Sequence, residues 1–246
     1  MATPLPPLPP LSPLRLVAAI VDLDGTMVDT LGDFEEDLNR TLADLDLPRV
    51  SRALVERTVG KGSEHLILSV LQHQLDLPEV GACQGRNAQS LYTAAWQRYQ
   101  HHYLAINGEY AQVYPGVEQG LAQMQAAGLQ LACLTNKPLA FARTLLERKG
   151  LQPFFTHLFG GDSFARKKPD PLPLLKTCEA LGTLPAQTLM VGDSSNDAQA
   201  AWAAGCPVVL LRYGYNHGQA VDAVQAHGHL DDLTQWQAWY QACRAA

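Results

Sequence analysis

The stretch LVAAIVDLDGT, residues 16–26, decides the fold of this chain. It opens with a continuous apolar run, which is typical of a strand buried on both faces of a parallel sheet. It closes with Asp22 and Asp24, and alternation along a strand sends both to one side and Leu23 to the other. Ligands of open α/β sheets bind beyond the carboxyl ends of the strands, so this pair marks a candidate site.

The rest of the chain repeats the pattern of a buried strand followed or preceded by a helix. Apolar runs predict four strands, at residues 16–23, 129–135, 188–192 and 207–212. Helical periodicity predicts helices at residues 116–127, 138–149, 171–181 and 196–204, and glycine stops three of them, at Gly150, Gly182 and Gly205. Alternation of this kind predicts an α/β fold with a doubly wound parallel sheet.

One long stretch interrupts the alternation. Residues 30–114 contain helical segments at 31–45, 64–75 and 90–104 but no good strand. A single crossover does not need so many helical residues, so we expect an inserted α-helical cap over the sheet. The predicted domains are a proline-rich extended tail at 1–15, a core at 16–29 and 115–246, and the cap at 30–114.

Composition narrows the classes of partner. The 246 residues carry 18 Lys and Arg against 24 Asp and Glu, and a net charge of -6 argues against nucleic acid. No apolar run approaches the roughly 20 residues that cross a bilayer, and the first residues do not resemble a signal peptide. The five cysteines form no CxxC pair, so we expect reduced thiols in a cytoplasmic protein. The sequence leaves monomer and homodimer open.

The paired aspartates call for a cation. Two carboxylates this close repel each other, and a hard divalent ion with oxygen ligands relieves that repulsion. Asp193, at the end of the third predicted strand, adds a carboxylate, and Asp197 follows in the first turn of the next helix. For Asp24 and its neighbours a simple turn remains open, and for Asp193 and Asp197 a helix cap remains open.

Donors to a phosphate follow the second predicted strand. The Thr135 hydroxyl and the Asn136 amide lie at its end, although each residue is also a common helix cap. Lys168 precedes Pro169, which fixes the chain there, and a rigidly placed ammonium offsets the charge of a bound phosphate. A solvated lysine run is the alternative for this segment.

These motifs occur in one order, each at the end of a segment, and together the chain resembles the haloacid dehalogenase superfamily over residues 16–218. Within it the chain is most similar to bacterial phosphoglycolate phosphatases. The stretches that carry the resemblance are VDLDGTMVDT (21–30), KPDPLPLL (168–175), VGDSSNDAQAAWAAGCP (191–207) and YGYNHG (213–218). The resemblance implies a magnesium-dependent phosphatase of a small phosphorylated metabolite, with 2-phosphoglycolate as the leading substrate.

The resemblance also implies a role for each site residue. Asp22 is the nucleophile that forms an aspartyl-phosphate, and Asp24 is the acid and then the base. Mg²⁺ binds the Asp22 carboxylate, the Asp24 backbone carbonyl and Asp193, and Asp197 orients the site from behind them.

The phosphoryl group binds Thr135, Asn136 and Lys168, and Lys168 also steadies Asp22. The helical insert matches the family's small cap, which closes over the site.

Several alternatives stay open. Dehalogenases of the superfamily lack the second aspartate of the pair, so Asp24 argues against them. Phosphomutases and phosphatases of other small or sugar phosphates share the core motifs, and a silent binding module is disfavoured by the intact site. The turn Gly60-Lys61-Gly62 is a candidate substrate contact or a plain exposed turn. The neighbours His101 and His102 are expected at the surface rather than on a metal.

Overall fold

The computed structural model of the chain describes residues 15–80 and 86–245. Residues 1–14 of the predicted tail, and Cys83, lie outside the described residues. In chain order the strands are β1 (Ala18–Val21), β2 (Val28–Asp29), β3 (Gln112–Val113), β4 (Gln130–Leu134), β5 (His157–Phe159), β6 (Thr188–Gly192), β7 (Val208–Leu211) and β8 (Gly228–Leu230). The helices are α1 (Leu31–Ala43), α2 (Arg52–Thr58), α3 (Ser63–Leu75), α4 (Ala88–Ile106), α5 (Val117–Ala126), α6 (Leu139–Arg148), α7 (Leu172–Leu181), α8 (Ser195–Ala204) and α9 (Trp236–Ala245).

Six strands form one sheet in the order β5-β4-β1-β6-β7-β8, and every neighbouring pair is parallel. The central strand β1 pairs with β4 on one side and β6 on the other, so that Val21 lies beside Cys133 and Val191. This register brings the carboxyl ends of three strands to one place. The predicted doubly wound α/β fold is confirmed.

The apolar runs are continuous because both faces of the sheet are covered. Ala19 and Val21 of β1 pack into one core, with residues of α5, α6 and α9, whereas Ala18 and Ile20 pack into a second core, with residues of α7 and α8. A strand with a core on each face has no polar positions in its pattern. The four predicted strands all form, each within two residues of the predicted ends.

The helices α1 to α4 form a separate packed unit, which we call the helical insert. Its core combines leucines and other aliphatic side chains with the stacked rings of Trp96, Tyr99 and Tyr103. The insert leaves the sheet just after β2 and returns just before β3, and these two strands pair as a short antiparallel ribbon. The entry and exit of the insert are therefore fixed to each other.

The sequence patterns missed the shortest elements. The expectation of no strand within residues 30–114 is wrong at its end, where Gln112 pairs with Asp29 in the ribbon. The edge strands β5 and β8, with three residues each, and the helices α2 and α9 were also not predicted. Two or three residues cannot show a periodicity, so tertiary pairing decides these strands. Among the described residues, no helix is long and apolar enough to cross a membrane.

Candidate active site

The predicted site residues meet at the carboxyl edge of the sheet. Asp22 follows β1, Thr135 follows β4 and Asp193 follows β6, and these three strands are direct neighbours. All three residues line one pocket together with Asp24. The opposite wall comes from the helical insert, which contributes Phe34, Gly60, Ser63 and Leu66. The enclosed space is small, about 30 Å³.

Lys168 holds Asp22 from behind the pocket. Its ammonium lies 3.1 Å from Asp22 Oδ1 and 2.7 Å from Asp197 Oδ1, and donates to the Leu134 carbonyl at 2.9 Å. Burial acts to lower the pKa of Lys168, but Asp197 and Asp22 outweigh burial and raise it. Three acceptors for three N–H groups leave this ammonium fully bonded. Lys168 therefore steadies Asp22, and direct contact with a phosphoryl group would require it to exchange a partner.

Asp22 is held in one orientation by contacts on one oxygen. Its Oδ1 receives the Leu23 N–H at 2.7 Å as well as the Lys168 ammonium, and Oδ2 receives neither. Burial raises the pKa of Asp22 to about 7, against the opposing effect of Lys168. A nearby cation stabilises the ionised form of such a carboxylate, which is the form that acts as a nucleophile.

Asn136 has a different task from the predicted one. Its Nδ2 donates to the carbonyls of Lys168 at 2.8 Å and Gly60 at 3.0 Å, and its Oδ1 accepts the Lys168 N–H at 3.0 Å. Both amide hydrogens are thus used within the protein, which departs from the predicted donation to phosphate. Asn136 positions Lys168 and joins the helical insert to the sheet.

Asp193 is buried and fixed by two neighbours. Thr26 Oγ1 donates to its Oδ1 at 3.0 Å, and the Tyr215 N–H donates to its Oδ2 at 2.6 Å. Burial, together with Asp197 and Asp22, raises the pKa of Asp193 well above its usual range. Lys168 supplies one positive charge beside these three carboxylates, and a further cation would balance them when all are ionised.

Glycine is required where the chain wraps around Asp193. Gly25 has φ of +80°, and a Cβ there would lie 2.2 Å from Asp193 Oδ2. A Cβ at Gly214 would lie 2.1 Å from the Cβ of Asp193. The main chain therefore approaches this carboxylate from two sides, closer than any larger residue permits.

Asp197 organises the site from outside the pocket. Its Oδ2 accepts from the Ser194 N–H at 3.1 Å and the Ser194 hydroxyl at 2.7 Å, while Oδ1 pairs with Lys168. The bond from the Ser194 N–H is one half of the capping box at the start of α8, so Asp197 caps this helix and also contacts Lys168.

The donor set fits a hard divalent cation. Oxygens of Asp22, Asp193 and Asp197 lie within 4.8 Å of one another. Asp22 and Asp193 line the pocket whereas Asp197 does not, so Asp22 and Asp193 are the carboxylates that a metal ion in the pocket would meet. Buried carboxylates without nitrogen or sulfur ligands suit Mg²⁺.

Asp24 faces a lysine that the sequence reasoning did not single out. The ammonium of Lys137 lies 3.0 Å from Asp24 Oδ1 and 3.4 Å from Oδ2. Thr135 lies beside this pair, and its Oγ1 accepts the Lys137 N–H at 3.2 Å while the hydroxyl hydrogen remains available. The sequence feature that indicates Lys137 as a site residue is its position, two residues after Thr135 at a strand end.

A loop of the helical insert docks on the sheet edge. The Gly60 carbonyl accepts N–H groups from Asn136 at 3.0 Å and Asn196 at 3.1 Å. Lys61 itself is exposed, so the backbone of the turn lines the pocket rather than the lysine side chain. Asn196 and Tyr215 lie in the sequence motifs, but their contacts are with distant residues, which local spacing does not predict.

His101 and His102 lie on helix α4 of the helical insert. His102 Nε2 lies 2.8 Å from Asp44 Oδ2, and the rings of His101 and His102 meet edge to face. Neither belongs to the cluster of possible metal ligands found among the described residues.

Comparison with known proteins points to one family. The family described as "Haloacid dehalogenase-like hydrolase" matches residues 19–211. A phosphoglycolate phosphatase of Cupriavidus necator is 41% identical over 229 residues, covering 93% of this chain and 95% of that protein. One from Thiobacillus denitrificans is 39% identical and covers 89% and 92%.

A solved structure is similar to this chain over most of its length. The crystal structure of "a predicted phosphoglycolate phosphatase" from Haemophilus somnus superposes with a TM-score of 0.84 at 30% identity. The match covers 91% of this chain and 97% of that one.

Proposed function

This chain belongs to the haloacid dehalogenase-like hydrolase family and is a phosphoric monoester hydrolase, and from that premise we propose that it converts 2-phosphoglycolate to glycolate and phosphate with the help of Mg²⁺. The observation that carries the proposal is the pair of aspartates on one pocket wall. Lys168 orients Asp22 from behind, and Asp24 faces the same space two residues later. This arrangement supports attack by one carboxylate and proton exchange by the other.

The first step forms an aspartyl-phosphate on Asp22. Its carboxylate oxygen bonds to phosphorus as the bond from phosphorus to the ester oxygen breaks. Asp24, in its protonated form, gives its proton to that leaving oxygen. Proton transfer by a placed carboxyl group contributes on the order of 10²–10⁴-fold to the rate.

The second step releases phosphate. Asp24, now a carboxylate, accepts a proton from water as the water oxygen bonds to phosphorus. The bond between phosphorus and Asp22 breaks, and both carboxyl groups return to their starting states. Dividing one difficult displacement into two easier ones is the gain of covalent catalysis.

Mg²⁺ suits the residues that surround Asp22. The Asp22 and Asp193 carboxylates and the Asp24 backbone carbonyl would hold it. When bound, it supplies positive charge that reduces the repulsion between Asp22 and a dianionic phosphate. Asp197 and Thr26 keep the carboxylate framework in place through the contacts described above. Thr135 retains a hydroxyl hydrogen with which to bind a phosphoryl oxygen.

The helical insert acts as the cap in this proposal, over residues 30–114. Its loop docked at Gly60 narrows the pocket, which supports a small metabolite as substrate. A closed site excludes water that would compete for the transferring group.

Nucleic acid and membranes are not part of the proposed function. Free thiols at Cys133, Cys178, Cys206 and Cys243 support work in the cytoplasm, as a monomer or homodimer.

Phosphate release from a panel of small phosphomonoesters, with Mg²⁺ and then with chelator, tests this function. We expect Mg²⁺-dependent release with a clear preference for 2-phosphoglycolate. Equal release from many small or sugar phosphates would keep the phosphatase and reject the named substrate. No release from any ester would reject the proposal and favour a phosphomutase.

A further inference from the structure

We propose that Lys137 is the specificity-determining residue of this site and binds the carboxylate of the substrate; the inference rests on the proposed function. Among the described residues that line the pocket, Lys137 is the one lysine or arginine. It belongs to the sheet side but reaches the helical insert, so it stands where the two walls meet.

The two buried lysines of the site differ in how their N–H groups are used. Lys168 has three acceptors, in Asp22, Asp197 and the Leu134 carbonyl. Within the described chain, the Lys137 ammonium finds its acceptors in one carboxylate, that of Asp24. Both side chains are about 2% exposed. A buried ammonium with N–H groups to spare requires a further acceptor, and in this pocket the acceptor is a ligand.

Two aromatic rings of the insert fix the direction of Lys137. The ammonium lies 4.3 Å from the ring centre of Phe34 and 4.8 Å from that of Tyr103. Ring faces attract a cation but do not accept strong hydrogen bonds. They hold the charge at the pocket wall while leaving its hydrogen-bonding capacity for a ligand.

Neighbouring acids do not cancel this charge. The Asp33 carboxylate is bonded to the N–H groups of Gly108 at 2.6 Å and Tyr110 at 2.7 Å. Burial raises the pKa of Asp37 to about 9, which leaves it uncharged near neutral pH. Asp24 is therefore the neighbour that shares the charge of Lys137.

The length of a two-carbon acid matches the separation of the groups. Asp24 protonates the ester oxygen, and the Lys137 ammonium lies 3.0 Å from Asp24 Oδ1. In 2-phosphoglycolate the carboxylate carbon is two bonds from that ester oxygen. A substrate whose ester oxygen contacts Asp24 therefore has its carboxylate within reach of Lys137. The carboxylate of a longer acid would extend past the Lys137 ammonium.

The test compares Lys137→Met with wild type on two substrates. Methionine keeps the packing against the two rings and removes the charge. The substrates are 2-phosphoglycolate and phosphoglycolamide, in which a neutral amide replaces the carboxylate. We expect the ratio of their kcat/KM values to fall about 10–100-fold in the variant, the size of a lost charge-assisted hydrogen bond. Lys176→Met, at an exposed surface pair, is the matched control and leaves the ratio unchanged.

Binding provides a second readout without turnover. Calorimetric titration in the Asp22→Asn background measures the affinity for each ester. Adding Lys137→Met should weaken the affinity for 2-phosphoglycolate about 10–100-fold and leave the affinity for phosphoglycolamide unchanged. Equal losses for both esters would overturn the inference, because Lys137 would then act through Asp24 alone.

Wild-type measurements keep the inference testable even if Lys137→Met fails to fold. A wild-type enzyme that hydrolyses both esters with equal efficiency would overturn carboxylate recognition and leave the phosphatase intact. A wild-type enzyme that hydrolyses phosphoglycolamide but not 2-phosphoglycolate would overturn the named substrate and this inference together.

Discussion

The sheet wall of the pocket and the interior of the helical insert contrast in how fully their polar groups are bonded. On the sheet wall, Lys168, Asp193 and Asp197 each have protein partners at 2.6–3.3 Å for their charged atoms. In the interior of the helical insert, the Asp37 carboxyl and the Tyr103 hydroxyl have no hydrogen-bond partner among the described residues. These charged groups of the sheet wall are bonded within the protein, whereas the two groups of the insert are not.

This difference assigns catalysis to the sheet wall and substrate selection to the side of the helical insert. A fully bonded network does not need to reorganise during the reaction, which favours transition-state stabilisation. Groups with unused bonding capacity gain most from a ligand that satisfies them. We therefore expect changes on the sheet wall to reduce the rate for every ester, and changes near the insert wall to alter preference and stability.

The largest expected effect on the sheet wall comes from removing the Lys168 ammonium. Lys168→Met leaves Asp22 and Asp197 buried without a positive partner. We expect the free energy of unfolding to fall by about 3–5 kcal/mol. Phosphate release should fall by about 10²–10³-fold or more. Urea denaturation and release assays measure the two effects, and Lys176→Met serves as the control. Activity within twofold of wild type would contradict the role given to Lys168.

A glycine pair separates close approach from backbone strain. Gly25 and Gly128 both have positive φ, +80° and +85°, but a Cβ at Gly128 meets nothing within 4 Å. Gly128→Ala is expected to cost about 1 kcal/mol of stability without loss of activity. Gly25→Ala also displaces Asp193, so Mg²⁺ affinity, measured as activity against Mg²⁺ concentration, should fall about 10–100-fold. Equal behaviour of the two variants would rule out the close approach as the cause.

Asp37→Asn tests the under-bonded interior of the helical insert through the pH dependence of stability. The folded protein holds the pKa of Asp37 near 9, far above its value of 3.8 in an unfolded chain. Between these values the folded state binds more protons, so stability falls as pH rises. We expect the wild-type free energy of unfolding to fall by up to about 1.4 kcal/mol per pH unit more steeply than that of the variant. Parallel curves would show that Asp37 is ionised in the fold.

The smallest effect is expected where the walls join. Asn196→Ala removes one of the two side-chain donors to the Gly60 carbonyl and leaves Asn136 in place. One hydrogen bond of this kind contributes about 0.5–1.5 kcal/mol, so KM should rise about 2–10-fold with little change in thermal stability. Hydrogen exchange of the 59–62 loop should become faster. An unchanged KM together with faster exchange would mean that loop docking does not contribute to substrate binding.

The sequence predicted what depends on local patterns. The strand β1 and its neighbours β4 and β6 have four or five buried residues each, enough for a pattern, and Asp22, Thr135 and Asp193 follow them directly. Their meeting at one edge follows from parallel pairing alone. The ends of α7 and α8 are also predicted from local sequence, by Gly182 and Gly205, and both residues adopt the left-handed conformation.

What the sequence could not predict depends on residues far apart in the chain. Asn136 was expected on phosphate, but the Gly60 carbonyl, 76 residues away, takes one of its hydrogens. The environment of Lys137 is set by Phe34 and Tyr103, from two helices of the insert. No spacing along the chain reveals such contacts, since they arise from how the insert packs on the sheet.

The most direct test of the account asks whether Asp22 carries the phosphoryl group. In Asp24→Asn, p-nitrophenyl phosphate still donates its phosphoryl group, because its leaving oxygen needs little protonation, but water is no longer activated. Acid quench, peptic digestion and mass spectrometry should then show one phosphoryl group on Asp22, absent from Asp22→Asn. Phosphate release without any phosphorylated protein, or a phosphoryl group on another residue, would contradict the account.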